Sequence, residues 1–155
     1  NVYPRTVGKR QFANPITPGW ADPTTASFED PRFHGSDGRQ YGPLPRAWAH
    51  YKGLYRYEDR VVIKYTLGEA EVLETYDLVE SGEKPIISRT LNISGAKQRH
   101  KLRIAPDHVS VSAKGSDHKI IKEGGFHVLE SSGAASEKFV LFISLQTQKQ
   151  IDTFG

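Results

Sequence analysis

From residue 49 onward, apolar and polar side chains alternate along the chain with a period of two. Val61, Ile63, Tyr65 and Leu67 alternate with Val62, Lys64 and Thr66, the pattern of a strand with one buried face. The preceding "GLYRY" reaches this strand through the short polar link "EDR", a hairpin signal. "LGEAE" predicts a second turn and leads into "VLETYDL". Further strands are predicted at "PIISRTLNIS", "HKLRIAP", "HVSVSAKG", "HKIIKEG", "GFHVLES" and "KFVLFISLQT". In the last of these Phe139, Leu141, Ile143 and Leu145 share one face, while Val140 and Phe142 predict that the other is partly covered. No apolar stripe at helical spacing is long enough for a helix beyond a single turn at "PRAWAHYKG". Short strands between Gly, Ser and Asp turns, spaced about 8 to 12 residues apart, predict an all-β protein, an antiparallel β-sandwich. No internal repeat aligns, which argues against a propeller or solenoid.

Residues 1–48 have a different texture. Pro, Gly, Asp and Ser punctuate "PITPGWADPTTASFEDPRFHGSDGRQYGPLPRAW" every few positions. Proline removes a ladder donor and biases its predecessor toward extended backbone, so regular helix or strand is not expected there. Phe12, Trp20, Phe28, Phe33 and Tyr41 nevertheless recur through it. A disordered linker does not carry so many large rings, so the segment is expected to be extended, ordered and pinned down by aromatic anchors. The expected organisation is one domain over 1–155, with 1–48 packed on a strand-rich core at 49–155.

Composition narrows the function classes. A chain of 155 residues, 37% hydrophobic and 25% charged, is long enough to bury a real core and is globular in character. Its longest apolar runs, "VVI" and "FVLFI", fall far short of the roughly 20 residues that span a bilayer as a helix. The chain starts with "NVYPRTVGKR" and contains no Met, so we expect a processed or excised piece of a longer protein. With no Cys there are no disulfides, thiolate nucleophiles, Cys-ligated zinc, iron–sulfur clusters or covalent haem attachment. The net charge is +3, and residues 1–60 hold nine Lys/Arg against six Asp/Glu while 61–155 hold twelve of each. A surplus of three positive charges is too small a footprint for a nucleic-acid binder.

Catalytic and metal motifs are not legible. His34, His50, His100, His108, His118 and His127 show neither helical nor strand ligand spacing and are expected to be surface or hydrogen-bonded side chains. Asp30, Asp37 and Gly38 lack the alternating oxygen ligands and terminal Glu of a calcium loop. No Gly-x-Ser-x-Gly elbow is present, and Glu58 with Asp59, or Glu69 with Glu71, read as turn acids. We therefore name no catalytic residue, no metal ligand and no cofactor for this domain.

One constellation has the composition of a ligand site. Trp20, Tyr41, Trp48, Tyr51, Tyr55 and Tyr57, with Asp37, Arg39, His50 and Arg56, combine flat apolar rings with hydrogen-bonding groups, as a sugar platform does. Tyr55 and Tyr57 in one strand point the same way. The competing reading, which we prefer, is that the rings seal the sandwich. Asp37, Arg39 and Arg46 would then fasten the long loop.

The stretch "GWADPTTASFEDPRFHGSDGRQYGPLPRAWAHYKGLYRYEDRVVIKYTLGEAEVLET" resembles a domain of unknown function found toward the N-terminus of very large exported bacterial proteins. Those proteins also carry c-type cytochrome modules and sugar-dehydrogenase-like propellers. The resemblance is most specific over residues 5–75. It implies a parent and a periplasmic or cell-surface location, and it transfers no catalytic residue. It also implies further sequence upstream that completes the sheet, leaving some edge strands here without a partner. The expected role is a non-catalytic accessory module that docks to or assembles with neighbouring modules. The alternative is a carbohydrate-binding module.

Overall fold

The computed structural model describes residues 10–80 and 83–155. The first nine residues of the loop-rich segment expected over 1–48 lie outside the described residues. The alternating pattern folds as read, into antiparallel strands: β1 (Phe33–His34), β2 (Gln40–Tyr41), β3 (Ala49–Tyr57), β4 (Arg60–Leu67), β5 (Ala70–Glu80), β6 (Ile86–Ser94), β7 (Lys101–Pro106), β8 (Ser110–Gly115), β9 (His118–Glu123), β10 (Phe126–Ser131) and β11 (Ser136–Ser144). One large sheet has the order β3-β4-β5-β6-β11-β8, a smaller one β7-β10-β9, and β1 and β2 pair as a separate two-stranded hairpin. That hairpin corrects the expectation of no regular strand before residue 49.

The expected fully buried face of β11 is where the two sheets meet. Phe139, Leu141 and Ile143 join Leu67, Val72, Leu91, Ile93, Leu102, Ile104 and Leu129 in one core, and burying such side chains contributes about 1.5 to 3 kcal/mol each. The partly covered opposite face is closed by a helix that the alternation pattern did not predict. Helix α1 (Gln148–Ile151) brings Ile151 against Ile86 and Phe142. The single turn expected at "PRAWAHYKG" is confined to 45–49, where the Trp48 and Ala49 amides both donate to the Pro45 carbonyl, and β3 follows at once.

Gly19–Ala21 pair with the outer edge of β7. Trp20 bridges to Leu102, the Ala21 amide donates to the Lys101 carbonyl at 2.9 Å and the Arg103 amide to the Gly19 carbonyl at 2.8 Å. Three of the five expected anchors hold the N-terminal segment: Trp20 is in the core, Phe12 packs against it, and Phe28 lies under the Arg103 guanidinium at 4.2 Å. Phe33 and Tyr41 are exposed, because their short hairpin projects from the body. The fastening groups also differ from those expected. Asp37 accepts from the Tyr41 hydroxyl at 2.5 Å and the Arg39 amide at 3.1 Å, contacts internal to that hairpin, and Arg46 is exposed. The loop is tied instead by Arg32 to the Ile16 carbonyl, Asn14 to the Ile104 carbonyl, Arg103 to Pro18 and Gln98 to Pro23. These partners lie far apart in sequence, so no local pattern reveals them.

Two consecutive hairpins make a controlled comparison. Register leaves Glu58–Asp59 as the β3–β4 loop and Gly68–Glu69 as the β4–β5 loop. The first loop residue has a positive φ in both, 54° at Glu58 and 57° at Gly68. A side chain in that region costs about 1 to 2 kcal/mol, and glycine avoids it. Glu58→Gly is therefore expected to stabilise the domain by about 0.5 to 1 kcal/mol net of the added unfolded-chain entropy. A lower urea midpoint in the variant would contradict this account of the turn.

Candidate functional site

Two buried charged residues, Glu74 and Arg89, meet the hydroxyls of Tyr65 and Tyr76 on one face of the large sheet. Cross-strand register places Glu74 of β5 opposite Ile63 and Leu91, and Tyr76 opposite Arg89 of β6, so Glu74, Tyr76 and Arg89 share the core-side face. Arg89 Nε donates to Glu74 Oε1 at 2.8 Å, the Tyr76 hydroxyl donates to the same oxygen, and the Tyr65 hydroxyl donates to Oε2 at 2.6 Å. Trp20 Nε1 donates to the Tyr65 oxygen at 2.8 Å. Trp48 Nε1 in turn donates to the Trp20 carbonyl at 3.2 Å. The chain of bonds runs from the N-terminal segment through β4 and β5 to β6.

Burial alone would push the Glu74 carboxyl up, but the Arg89 charge and the three donated hydrogen bonds outweigh it and hold Glu74 below the usual carboxylate range. Tyr65 and Tyr76 are both pushed up, by burial first and then, as the main charge acting in that direction, by the Glu74 carboxylate. Both hydroxyls keep their protons and act as donors. Sequence reading named only Tyr65, as an apolar-face position. The signal that would have found the others is parity: in "VLETYDL", Val72, Glu74 and Tyr76 fall on one face, so a carboxylate occupies a core position.

The ten residues of the sugar-platform reading are not brought together. Trp20 and Trp48 are 7% and 4% exposed, part of the core, as the seal reading expects. Asp37, Arg39 and Tyr41 sit on the projecting β1–β2 hairpin. The tyrosines of β3 are exposed, Tyr57 at 73%, so they seal nothing among the described residues. Tyr55 and Tyr57 do point the same way, paired with Val62 and Arg60, on the face that also carries His50. A bulge between Tyr51 and Gly53 turns Tyr51 to the opposite face, with Leu54 and Arg56.

That opposite face is the continuation of the core-side face, and the smaller sheet leaves it uncovered. Tyr51, Leu54, Val61, Tyr76 and Leu78 are exposed there, Leu78 at 61%. The Glu74–Arg89 pair marks the boundary along β4 and β5: toward Leu67 and Val72 the face is core, and toward Val61 and Leu78 it is surface.

Of the six histidines, His100 departs from expectation. It is 5% exposed, edge-on to Trp20, and neither ring nitrogen has a hydrogen-bond partner among the described residues. It backs a cleft of about 380 Å³ whose mouth carries the Lys97–Glu69 ion pair at 2.5 Å. Burial pushes the His100 pKa down, with Glu137 opposing. Below an unfolded value near 6.5, the unfolded chain takes up a proton that the folded one resists, so stability is full above that pH and falls below it. A lower melting temperature at pH 5.5 than at pH 7.5, with the difference reduced in His100→Phe, is the expected outcome; an equal difference in the variant would assign it to other groups.

Residues 1–74 match the model of a family described as Domain of unknown function (DUF6797). The matched region contains the N-terminal segment, the β3–β4 hairpin and β5 as far as Glu74. No curated protein and no solved structure matches the chain.

Proposed function

We propose that this domain is a non-catalytic docking module of a large exported redox-type multidomain protein, where it holds neighbouring cytochrome or dehydrogenase modules in place. One observation carries the reading: the apolar face of the large sheet continues past the smaller sheet into open surface at Tyr51, Leu54, Val61, Tyr76 and Leu78. Monomeric domains rarely leave a contiguous apolar face of this kind without a use, and such faces mark protein contacts. The polar groups near it support assembly over catalysis, because Glu74 is saturated by Arg89, Tyr65 and Tyr76 and has no proton to exchange at neutral pH. Parent and compartment rest on the resemblance of the N-terminal segment.

The test is direct association between the 155-residue chain and the separately expressed neighbouring modules of its parent, read by light scattering and calorimetry. We expect a complex that weakens at least about tenfold in Leu78→Glu, which puts a charge into the contact. Independent tumbling of the components would sink the docking reading. A second reading, carbohydrate capture, is favoured by the exposed pair Tyr55 and Tyr57 on one face of β3. Glycans that leave the Tyr55 and Tyr57 ring resonances unmoved would retire it.

A further inference from the structure

We propose that β3 is a strand-addition site, taking an acidic extended segment of a partner module as a seventh strand of the large sheet. The inference rests on the docking reading and names its mode and partner chemistry. It begins from how the fold treats its strand edges, since an open edge presents unpaired amides and carbonyls to any other chain. The outer edge of β7 is covered by Gly19–Ala21. At the far end of the large sheet, β8 is blocked by one side chain: Gln148 donates from Nε2 to the Val111 carbonyl at 2.7 Å and accepts the Val111 amide at 3.4 Å. The edge strand β9 is six residues long and carries Lys119 and Lys122. By contrast β3 is nine residues long, and nothing among the described residues pairs with its outer edge.

Charge selects the occupant. Arg46, Lys52 and Arg56 lie along or just before β3, with no Asp or Glu between Arg46 and Tyr57. None of the three is in an ion pair among the described residues; Arg56 spends its Nε on the Glu58 carbonyl. The same charges oppose a second copy of this chain. Antiparallel pairing centred on Leu54 sets Lys52 opposite Arg56, like charges that destabilise a cross-strand pair. The bulge at Tyr51–Gly53 further breaks the edge for a uniform strand. Devices that reject self-pairing thus favour a negatively charged strand along Leu54–Tyr57, whose tyrosines and leucine flank it on both faces.

The experiment uses the 155-residue chain and a labelled synthetic peptide of about ten residues that alternates Glu with Val and Thr, a strand-forming acidic probe. Controls replace its Glu by Lys, or its alternate residues by Pro, which removes ladder donors. We expect the acidic peptide to bind at least about tenfold more tightly than the Lys peptide. We also expect amide shifts concentrated at Leu54–Tyr57, loss of binding with the Pro peptide, and an inverted charge preference in the Lys52→Glu, Arg56→Glu double variant. Absent binding, equal binding of both charge forms, binding that survives Pro, or shifts centred elsewhere would each overturn strand addition. Dimerisation of the chain through β3 would overturn it in favour of a second copy. Association with the parent's neighbouring modules that persists and still weakens in Leu78→Glu, alongside no peptide binding, would overturn this inference and leave docking intact.

Discussion

Glu74→Gln is expected to destabilise the domain by about 3 to 5 kcal/mol, although it removes one charge and almost no volume. The substitution leaves the Arg89 guanidinium buried without a counter-charge, and stranding one member of a buried pair costs on that scale. It also weakens the acceptor that Tyr65 and Tyr76 share, so the link from Trp20 to the sheet loosens with it. Replacing both members, Glu74→Leu with Arg89→Met, should recover part of the loss, because it removes the stranded charge but leaves the Tyr65 hydroxyl without its acceptor. Urea denaturation distinguishes the outcomes. A single variant as stable as wild type would show that the pair is hydrated and not structural.

The same pair sets an acid limit. Glu74 has a folded pKa below its unfolded value near 4.5, so its contribution is present above that value and is lost as pH falls through the folded one. Wild type should lose stability as pH falls below about 4.5, and the double apolar variant should lose less.

Trp48→Ala is expected to cost about 3 to 5 kcal/mol, the usual result of emptying a buried aromatic site. Trp48 packs in the main core, and its Nε1 bond to the Trp20 carbonyl fastens the N-terminal segment where it turns into β3. Truncation therefore removes packing and leaves the Trp20 carbonyl short of a donor. A melting temperature unchanged by the substitution would refute the core role. Trp48→Phe separates the two contributions, since it keeps most of the packing and loses the hydrogen bond.

Period-two alternation located the strands after residue 49, because a half-buried strand writes its burial directly into every second residue. Helix α1 escaped because four residues cannot display a helical period, and its cover of Phe142 was legible only as a second apolar face. The aromatic constellation failed as a unit for another reason. Ring count along the chain carries no information about which rings share a surface, and the bulge between Tyr51 and Gly53 reverses the parity that alternation assigns to Tyr51. Glu74 and Arg89 were visible as charged residues at inward parity, yet their meeting depends on β5 and β6 being neighbours.

By itself the sequence determined the fold class, the strand sites after residue 49 and the absence of cysteine chemistry. Each of these follows from local backbone preference or from the period of burial, properties that a residue carries wherever the chain goes. Tertiary structure decided that Trp20 and Trp48 are core while Tyr55 and Tyr57 are surface. It also decided that Glu74 is saturated by three donors, and that the large sheet is half covered with β3 at its open edge. Those outcomes depend on which strands become neighbours and on where the smaller sheet ends, and both are set by long-range packing that no single stretch of sequence contains.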